Sequence, residues 1–400
     1  MIAAGMESAS VFDFFSPDTT GSASPRPAFD SKVVDFLADL SKELLSDVRT
    51  REYPDVATFA FWCRRASLER YRRTGRWERA LGRGLVFHVA PSNVPVNFAY
   101  SLAAGLLAGN ANIVRVPSAE FEQVDLILSC LHELVETRHG GIRGYLAFVR
   151  YSRSDTERTR MYSERCDVRV IWGGDETVRA IRSLPLSPRA FDVTFPDRYS
   201  IAVIDAAEYL LKADVAEVAR GFYNDTYLLD QNACTAPHLV VWRGGADTVA
   251  PARETFWGSL HALVRAEYEL PAVAAVDKLT AAYLIAATHE GSRITPRADN
   301  SLVTVELNAL PSDVEDFRAA CGYFLETRID SLQELAAAVT GRFQTLAYFG
   351  VDQQELLDTV LGHGLSGIDR IVPVGSTLDF DLLWDGYDLI STLTRQIFVR

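Results

Sequence analysis

Apolar and polar positions change rhythm twice along the chain. Residues 1–29 are rich in Ser, Pro, Gly and Thr and show no period, so they read as a mobile arm. From Asp30, the residues Val33, Val34, Phe36, Leu37, Leu40, Leu44 and Leu45 recur at helix spacing, and a second helical stretch covers 54–74. Short apolar runs then alternate with helix-periodic stretches. Strands are expected at 84–90, 112–116, 144–149, 168–172 and 199–204, with helices at 96–108, 120–137, 154–166 and 175–184 between them. Strict alternation implies a parallel sheet with helices on both faces. Past Ala213 the pattern restarts with a helix at 215–223, a strand at 239–242 and helices at 255–267 and 277–288. The expectation is an α/β protein of two doubly wound, Rossmann-like units. Residues 30–208 form the first, 209–375 the second, and 376–400 a C-terminal segment; there is no internal repeat.

Composition narrows the function classes. The 400 residues are 48% hydrophobic and 23% charged, the balance of a soluble globular protein. A net charge of -13 argues against a nucleic-acid partner or an anionic membrane surface. The apolar stretches 94–109 and 273–288 are interrupted by polar residues and fall short of the roughly 20 residues a membrane span needs. No basic region followed by an apolar core marks a secretory signal. The five cysteines are scattered without a CxxC pair, which argues against a disulfide framework or a zinc ribbon and fits a reducing cytoplasm. No metal is expected: His289-Glu290 opens like a zinc-protease helix, but the second histidine is missing.

Four segments carry candidate chemistry. Asp230-Gln231-Asn232-Ala233-Cys234 is a polar, turn-like stretch between helix and strand. A thiol there is unlike Cys63 and Cys130, which sit in apolar runs, so Cys234 is the candidate nucleophile. Ala90–Asn97 lies at a strand-to-helix turn, the usual ligand edge of a doubly wound sheet. Asn93 offers an amide donor for an oxyanion; the alternative is that Asn93 and Asn97 cap the next helix. Gly173-Gly174 form a tight strand-to-helix turn where a pyrophosphate can approach the backbone, although Asp175 and Glu176 already satisfy the helix dipole. Arg115, followed by Pro117-Ser118, ends a strand where a cation suits ribose or phosphate oxygens, or is a surface arginine. Neither GxGxxG nor GxxxxGK[ST] occurs. Finally, residues 49–83 hold ten arginines against four acids. They are either a solvated face or a dock for a phosphate-bearing donor, such as coenzyme A or an acidic carrier protein.

In order along the chain, these segments resemble the aldehyde dehydrogenase superfamily. The resemblance is closer to its acyl-reductase branch, the LuxC-type fatty acyl-CoA reductases of bacterial bioluminescence. It is carried by Tyr53-Pro54-Asp55-Val56, HVAPSNVPVN at 88–97, GLLAGNANIVRVPS at 105–118, FPDRYSIAVI at 195–204, DQNACTAP at 230–237 and DRIVPVGSTLDFDLLWDGYDLI at 369–390. The resemblance implies that Cys234 takes the acyl group as a thioester and that Asn93 holds the oxyanion. It implies that Arg115 and Ser118 lie by the adenosine ribose, with Gly173 and Gly174 facing the pyrophosphate. It also implies NADPH (or NADH) as cofactor, an acyl-CoA or carrier-protein thioester as donor, and a homo-oligomer to which 376–400 contributes. Hydrolytic members carry a water-activating glutamate in an ELGG segment. The corresponding stretch here, Thr194–Tyr199, lacks it, which favours reduction of an activated acyl group to aldehyde over oxidation to acid. The rivals are a cysteine acyltransferase or thioesterase without a redox step, and a non-catalytic acyl-binding scaffold.

Overall fold

Two parallel sheets carry the alternation, one in each of two units. The computed structural model describes every residue except 1–10, 20–22, 296 and 298. One unit comprises 1–196 with 380–400, and the other 197–379.

The first unit holds a five-stranded sheet, all parallel, in the spatial order Leu146–Val149, Ala111–Arg115, Leu85–Val89, Val168–Trp172, Phe191–Phe195. Leu85–Val89 and Val168–Trp172 are buried at every residue, which accounts for their uninterrupted apolar runs. The chain winds outward from Leu85–Val89 in one direction, then returns to its other side, so the strand order reverses between Leu85–Val89 and Val168–Trp172. Ser31–Ser46, Asn97–Leu107 and Glu122–Thr137 pack their apolar faces into one continuous core. The expected 54–74 helix is two helices, Pro54–Trp62 and Arg65–Thr74, broken at Cys63-Arg64.

A buried hydrogen-bond chain crosses this sheet. The Trp172 indole donates to Ser101 Oγ (3.0 Å), which lies 2.7 Å from His88 Nδ1, and His88 Nε2 lies 2.9 Å from Asn112 Oδ1. Burial pulls the His88 pKa down to about 4, so the imidazole is neutral and can serve both neighbours.

The arm expected over 1–29 is only partly described, and the described part is not loose. Val11–Phe14 is helical, Phe15 is buried against Phe148, and the Phe15 carbonyl accepts from the Phe148 amide. Phe29 joins the same core. Aromatic residues dock the segment although its composition is polar.

The second unit has seven strands in the order Arg370–Pro373, Phe343–Phe349, Tyr199–Asp205, Pro237–Arg243, Tyr323–Ile329, Val303–Glu306, Arg293–Thr295. All neighbours are parallel except the last pair. Tyr199–Asp205, expected to close the first unit, pairs here with Phe343–Phe349 and Pro237–Arg243, so the units divide between Pro196 and Asp197 rather than between 208 and 209. Separate cores cover the two faces of the sheet. In one of them Glu326 is buried: its carboxylate accepts from the indoles of Trp242 (2.9 Å) and Trp257 (2.7 Å) and from Arg253 through Nε (3.0 Å) and NH2 (2.6 Å).

The segment expected to stand apart at 376–400 is shared out. Gly375 and Thr377 donate backbone N–H groups to the buried Asp225 carboxyl of the second unit. From Phe380 the chain returns to the first unit, where Leu389, Ile390 and Leu393 are buried and Thr394–Gln396 pairs antiparallel with Ala80–Gly82. Among the described residues, no helix is long and apolar enough to cross a membrane.

Candidate functional site

Five of the six residues singled out lie at one edge of the first sheet. Asn93 is in the loop after Leu85–Val89, Arg115 and Ser118 end and follow Ala111–Arg115, and Gly173 and Gly174 follow Val168–Trp172. All three loops leave carboxyl ends of strands beside the point where the strand order reverses, the position at which doubly wound sheets hold ligands.

Asn93 and Ser118 are exposed. Neither Asn93 nor Asn97 caps the following helix, correcting that alternative: the cap is Val96, without a side-chain bond. Asn97 is instead the first helical residue, and its Oδ1 is buried without a partner among the described residues. Arg115 is half-buried, with its guanidinium 4.7 Å from the Tyr151 ring centroid and NH2 donating to the Tyr151 carbonyl at 3.4 Å. Burial lowers its pKa, but a guanidinium starts so high that it stays charged. Gly174 caps Asp175–Arg182 with no side-chain bond, and a Cβ added to it would meet nothing within 4 Å. One added to Gly173 would meet Thr177 at 3.3 Å. Neither glycine has a positive φ, so the turn itself does not require them. Open space above Gly174, exposed polar groups at 93 and 118, and a half-sunk cation at 115 fit an extended dinucleotide lying along this edge.

Cys234 belongs to the second unit, in the turn that leads into the amino end of Pro237–Arg243, rather than at a carboxyl edge. It is partly exposed, whereas Cys63, Cys130, Cys166 and Cys321 are buried. Burial pushes the Cys130 thiol up to about 11 and the Cys166 thiol to about 12, which keeps both protonated and inert.

Sequence reading overlooked what holds the Cys234 loop. Gln231 is buried, and its carboxamide makes four bonds. Nε2 donates to the carbonyls of Pro237 and Tyr323 (2.9 Å each), and Oε1 accepts from the amides of Gly322 (2.9 Å) and Tyr323 (3.2 Å). Asp230 and Gln231 both have positive φ (51° and 60°), a left-handed pair that costs free energy in non-glycine residues and persists only where surroundings fix it. On the other side, the buried Ser200 hydroxyl donates to the Cys234 carbonyl (2.7 Å) and accepts from the Thr345 amide (3.2 Å). Gln231 and Ser200 sit inside the DQNAC and FPDRYS strings, so those strings interlock around the thiol. Gln231→Ala strands four buried backbone groups and should lower stability by about 1–3 kcal/mol. Urea unfolding of wild type beside the variant checks it.

The stretch in place of the water-activating glutamate is braced by charge. Arg318 pairs with Asp197 and donates to the Arg198 carbonyl (3.0 Å), while Arg198 pairs with Asp369. Nearby, the Pro237–Arg243 strand carries a bulge. Ser200 opposes Pro237 but Ile201 opposes Leu239, leaving His238 as the extra residue. Its ring stacks on Tyr199 (5.6 Å between centroids), and Nδ1 is buried without a partner among the described residues. Burial, aided by Arg318, lowers the His238 pKa to about 3, so the ring is neutral when folded. The unfolded chain takes up a proton at this histidine below about pH 6.5, while the folded one does not. Stability therefore falls as pH falls. The margin of wild type over His238→Gln should shrink by about 1.4 kcal/mol per pH unit between about 6 and 4 in parallel urea titrations. A margin flat with pH would remove the neutral-ring reading.

Among the described residues, no group of three or more His, Cys, Asp or Glu side chains is placed to hold a metal ion.

Compared with known proteins, the family described as acyl-CoA reductase (LuxC) matches residues 42–295. A Vibrio harveyi protein named long-chain acyl-protein thioester reductase is 29% identical over 169 residues, covering 42% of this chain and 33% of that protein. Long-chain acyl-protein thioester reductase 2 of Photobacterium leiognathi is 25% identical over 168 residues, with the same coverage. The match thus spans about a third of the length of these relatives. Among solved structures, aldehyde dehydrogenase 21 of Physcomitrella patens superposes with a TM-score of 0.67 at 14% identity, over 96% of this chain and 88% of that one. An NAD-dependent benzaldehyde dehydrogenase from Corynebacterium glutamicum gives 0.61 at 14%, over 91% and 82%. At that identity the likeness concerns the fold, which is that of the aldehyde dehydrogenases.

Proposed function

The chain belongs to the LuxC family of acyl-CoA reductases, and from that premise we propose that it reduces an activated acyl group to an aldehyde through a thioester on Cys234. The observation that carries this reading is the loop itself: the one cysteine outside the core stands on a strained turn held by Gln231 and Ser200. The first unit is the cofactor-binding unit and the second the catalytic one.

Cys234 Sγ attacks the acyl carbonyl of a thioester donor. The bond to the donor sulfur breaks, and the donor leaves as a thiol with the proton that Cys234 gave up. Asn93 supplies the amide donor for the oxyanion. No carboxylate stands in the Thr194–Tyr199 stretch except Asp197, which is engaged with Arg318, so no residue there activates water and the thioester on Cys234 is protected from hydrolysis. Arg115 and Ser118 hold the adenosine end of the cofactor, and Gly173 and Gly174 leave room for its pyrophosphate. A nicotinamide cofactor in that place supplies the hydride. Cys234 then departs from the reduced carbon as the aldehyde forms, and takes up a second proton, from solvent, since its first left with the donor thiol.

The named activity of the Vibrio and Photobacterium relatives favours a protein-borne thioester as donor. NADPH is the proposed cofactor. The test is NADPH consumption with acyl-CoA and acyl-carrier thioesters, with trapped aldehyde identified by mass. Aldehyde matching the acyl chain supports the proposal. An adduct on Cys234 with no NADPH consumed would replace it with the acyltransferase reading.

Arg115→Ala should raise the KM for NADPH about tenfold, the loss of roughly 1.4 kcal/mol of binding. Acylation of Cys234 followed by intact mass should be unchanged. A variant that acylates poorly but binds NADPH normally would take Arg115 out of the cofactor site.

A further inference from the structure

Two left-handed turns meet beside the nucleophile. Asp230 and Gln231 form one, with φ of 51° and 60°, and Cys321 and Gly322 the other, at 58° and 87°. Three of the six non-glycine residues with positive φ among the described residues thus gather at one place, and such strain persists only where the surroundings hold it. Position 322 suits glycine alone, since a Cβ there would lie 2.5 Å from the Ser301 carbonyl oxygen. The turns are bonded to each other. The Cys321 amide donates to the Asp230 carbonyl (3.0 Å), and the Gly322 amide donates to Gln231 Oε1 (2.9 Å).

Two side chains from outside the turns hold this pair. Lys278, in helix Ala272–Thr288, is fully buried and donates from Nζ to the carbonyls of Cys321 (2.8 Å) and Asn300. No carboxylate forms an ion pair with it among the described residues. Asp299, whose charge it feels, is engaged by His261 (3.1 Å), Arg265 (3.2 Å) and the Ser301 hydroxyl (2.5 Å). Burial pulls the Lys278 pKa down to about 8, which leaves the amine mostly charged at neutral pH. A buried ammonium facing only main-chain carbonyls costs desolvation energy that an apolar side chain of the same length avoids. Its presence is explained by what it grips, the strained turn at Cys321. Tyr268, which ends helix Ala246–Glu267, supplies the second hold. Its hydroxyl donates to Asp230 Oδ1 (2.6 Å), and its ring packs edge-on against Tyr227 (4.9 Å between centroids).

We propose that Lys278 and Tyr268 are positioning residues for acyl transfer, which keep the Cys234 loop in line by holding the two turns against each other. The inference rests on the reading of Cys234 as the nucleophile. The route runs through hydrogen bonds. Lys278 fixes the Cys321 carbonyl, the Cys321-Gly322 amides fix Asp230 and Gln231, and the thiol stands three residues beyond Gln231. A thiol on a loosened loop spends less time in line with the acyl carbonyl, and misplacement by about 1 Å costs on the order of 10²-fold in rate. Loss of either hold therefore lowers turnover and leaves the cofactor residues, which lie in the other unit, unaffected.

The test uses Tyr268→Phe, which removes one hydroxyl, and Lys278→Met, which keeps the length of the side chain. Ala282→Gly is the control: it loosens the same helix and removes no side-chain hydrogen bond to either turn. Deuterium exchange in the peptide 227–236 reads the hold, and NADPH-dependent reduction of octanoyl-coenzyme A reads its purpose. In both variants exchange should be about tenfold faster, with kcat about tenfold lower and the KM for NADPH unchanged. Ala282→Gly should alter neither the exchange of that peptide nor kcat, whereas a merely structural role would move all three variants alike. Unchanged exchange in Tyr268→Phe overturns the proposal, even if Lys278→Met fails to fold. Faster exchange with full turnover overturns it as well. If Cys234→Ala still forms aldehyde, the nucleophile reading fails instead, and exchange still decides whether the two side chains hold the loop.

Discussion

Replacing Cys234 by alanine abolishes aldehyde formation, with an expected loss on the order of 10⁴-fold or more in kcat, because no second group can take the acyl chain. The other four thiols are buried, and those of Cys130 and Cys166 are held protonated by burial, so none substitutes for the missing nucleophile. NADPH affinity should be unchanged, since the proposed cofactor residues lie in the other unit. Stability should change little, because Cys234 is partly exposed and the loop is held by Gln231 and by the Cys234 main-chain carbonyl, both of which the variant keeps. Activity assays with the thioester identified as substrate, alongside NADPH fluorescence titration, check both halves. A variant retaining more than a few per cent of the rate would mean that acyl transfer to this thiol is not on the path.

Glu326→Ala should cost about 3–5 kcal/mol, the range for removing one partner of a buried ion pair. The loss is large because the carboxylate is the common acceptor for four donors. Without it, Arg253 keeps only Glu306 (2.7 Å), and the indole N–H groups of Trp242 and Trp257 are left buried without an acceptor. Glu326→Gln keeps the shape but not the charge, and should recover only part. Urea unfolding read by tryptophan fluorescence suits this site, because two of its donors are the fluorophores. A change below about 1 kcal/mol would show that water enters and replaces the carboxylate.

Much of the first unit is legible in the sequence, because strands buried on both faces appear as unbroken apolar runs such as Leu85–Val89. What local pattern does not contain is partnership. Tyr199–Asp205 follows the first unit directly, yet its neighbour Phe343–Phe349 lies far along the chain, so pairing decides its sheet and adjacency misleads. Tyr323–Ile329 and Phe343–Phe349 stay hidden for another reason: Glu326, Thr327, Gln344 and Thr345 interrupt their apolar pattern although all four are buried, and the fold supplies partners to the side chains of Glu326, Thr327 and Thr345. Phe15 shows the converse, a buried aromatic in a segment whose composition argues for solvent. At the candidate site, residue type and the strings around it mark Cys234 and Asn93. Gln231 remains invisible because its partners are main-chain atoms of Pro237, Gly322 and Tyr323, which leave no trace in side-chain identity.

The return of Phe380–Arg400 to the first unit bears on synthesis. On the ribosome, the five strands of that unit emerge well before Leu389, Ile390 and Leu393, which help close their core. Until the whole intervening unit has been translated, Ala80–Gly82 lacks its Thr394–Gln396 partner and the Asn110 side chain lacks the Leu393 carbonyl (2.9 Å). The nascent first unit therefore waits with an unfinished surface while the second, continuous in sequence, can fold as soon as it is released. Chaperone dependence should accordingly fall on the half made first, and a nonsense mutation late in the gene should damage the unit farthest from it in the message.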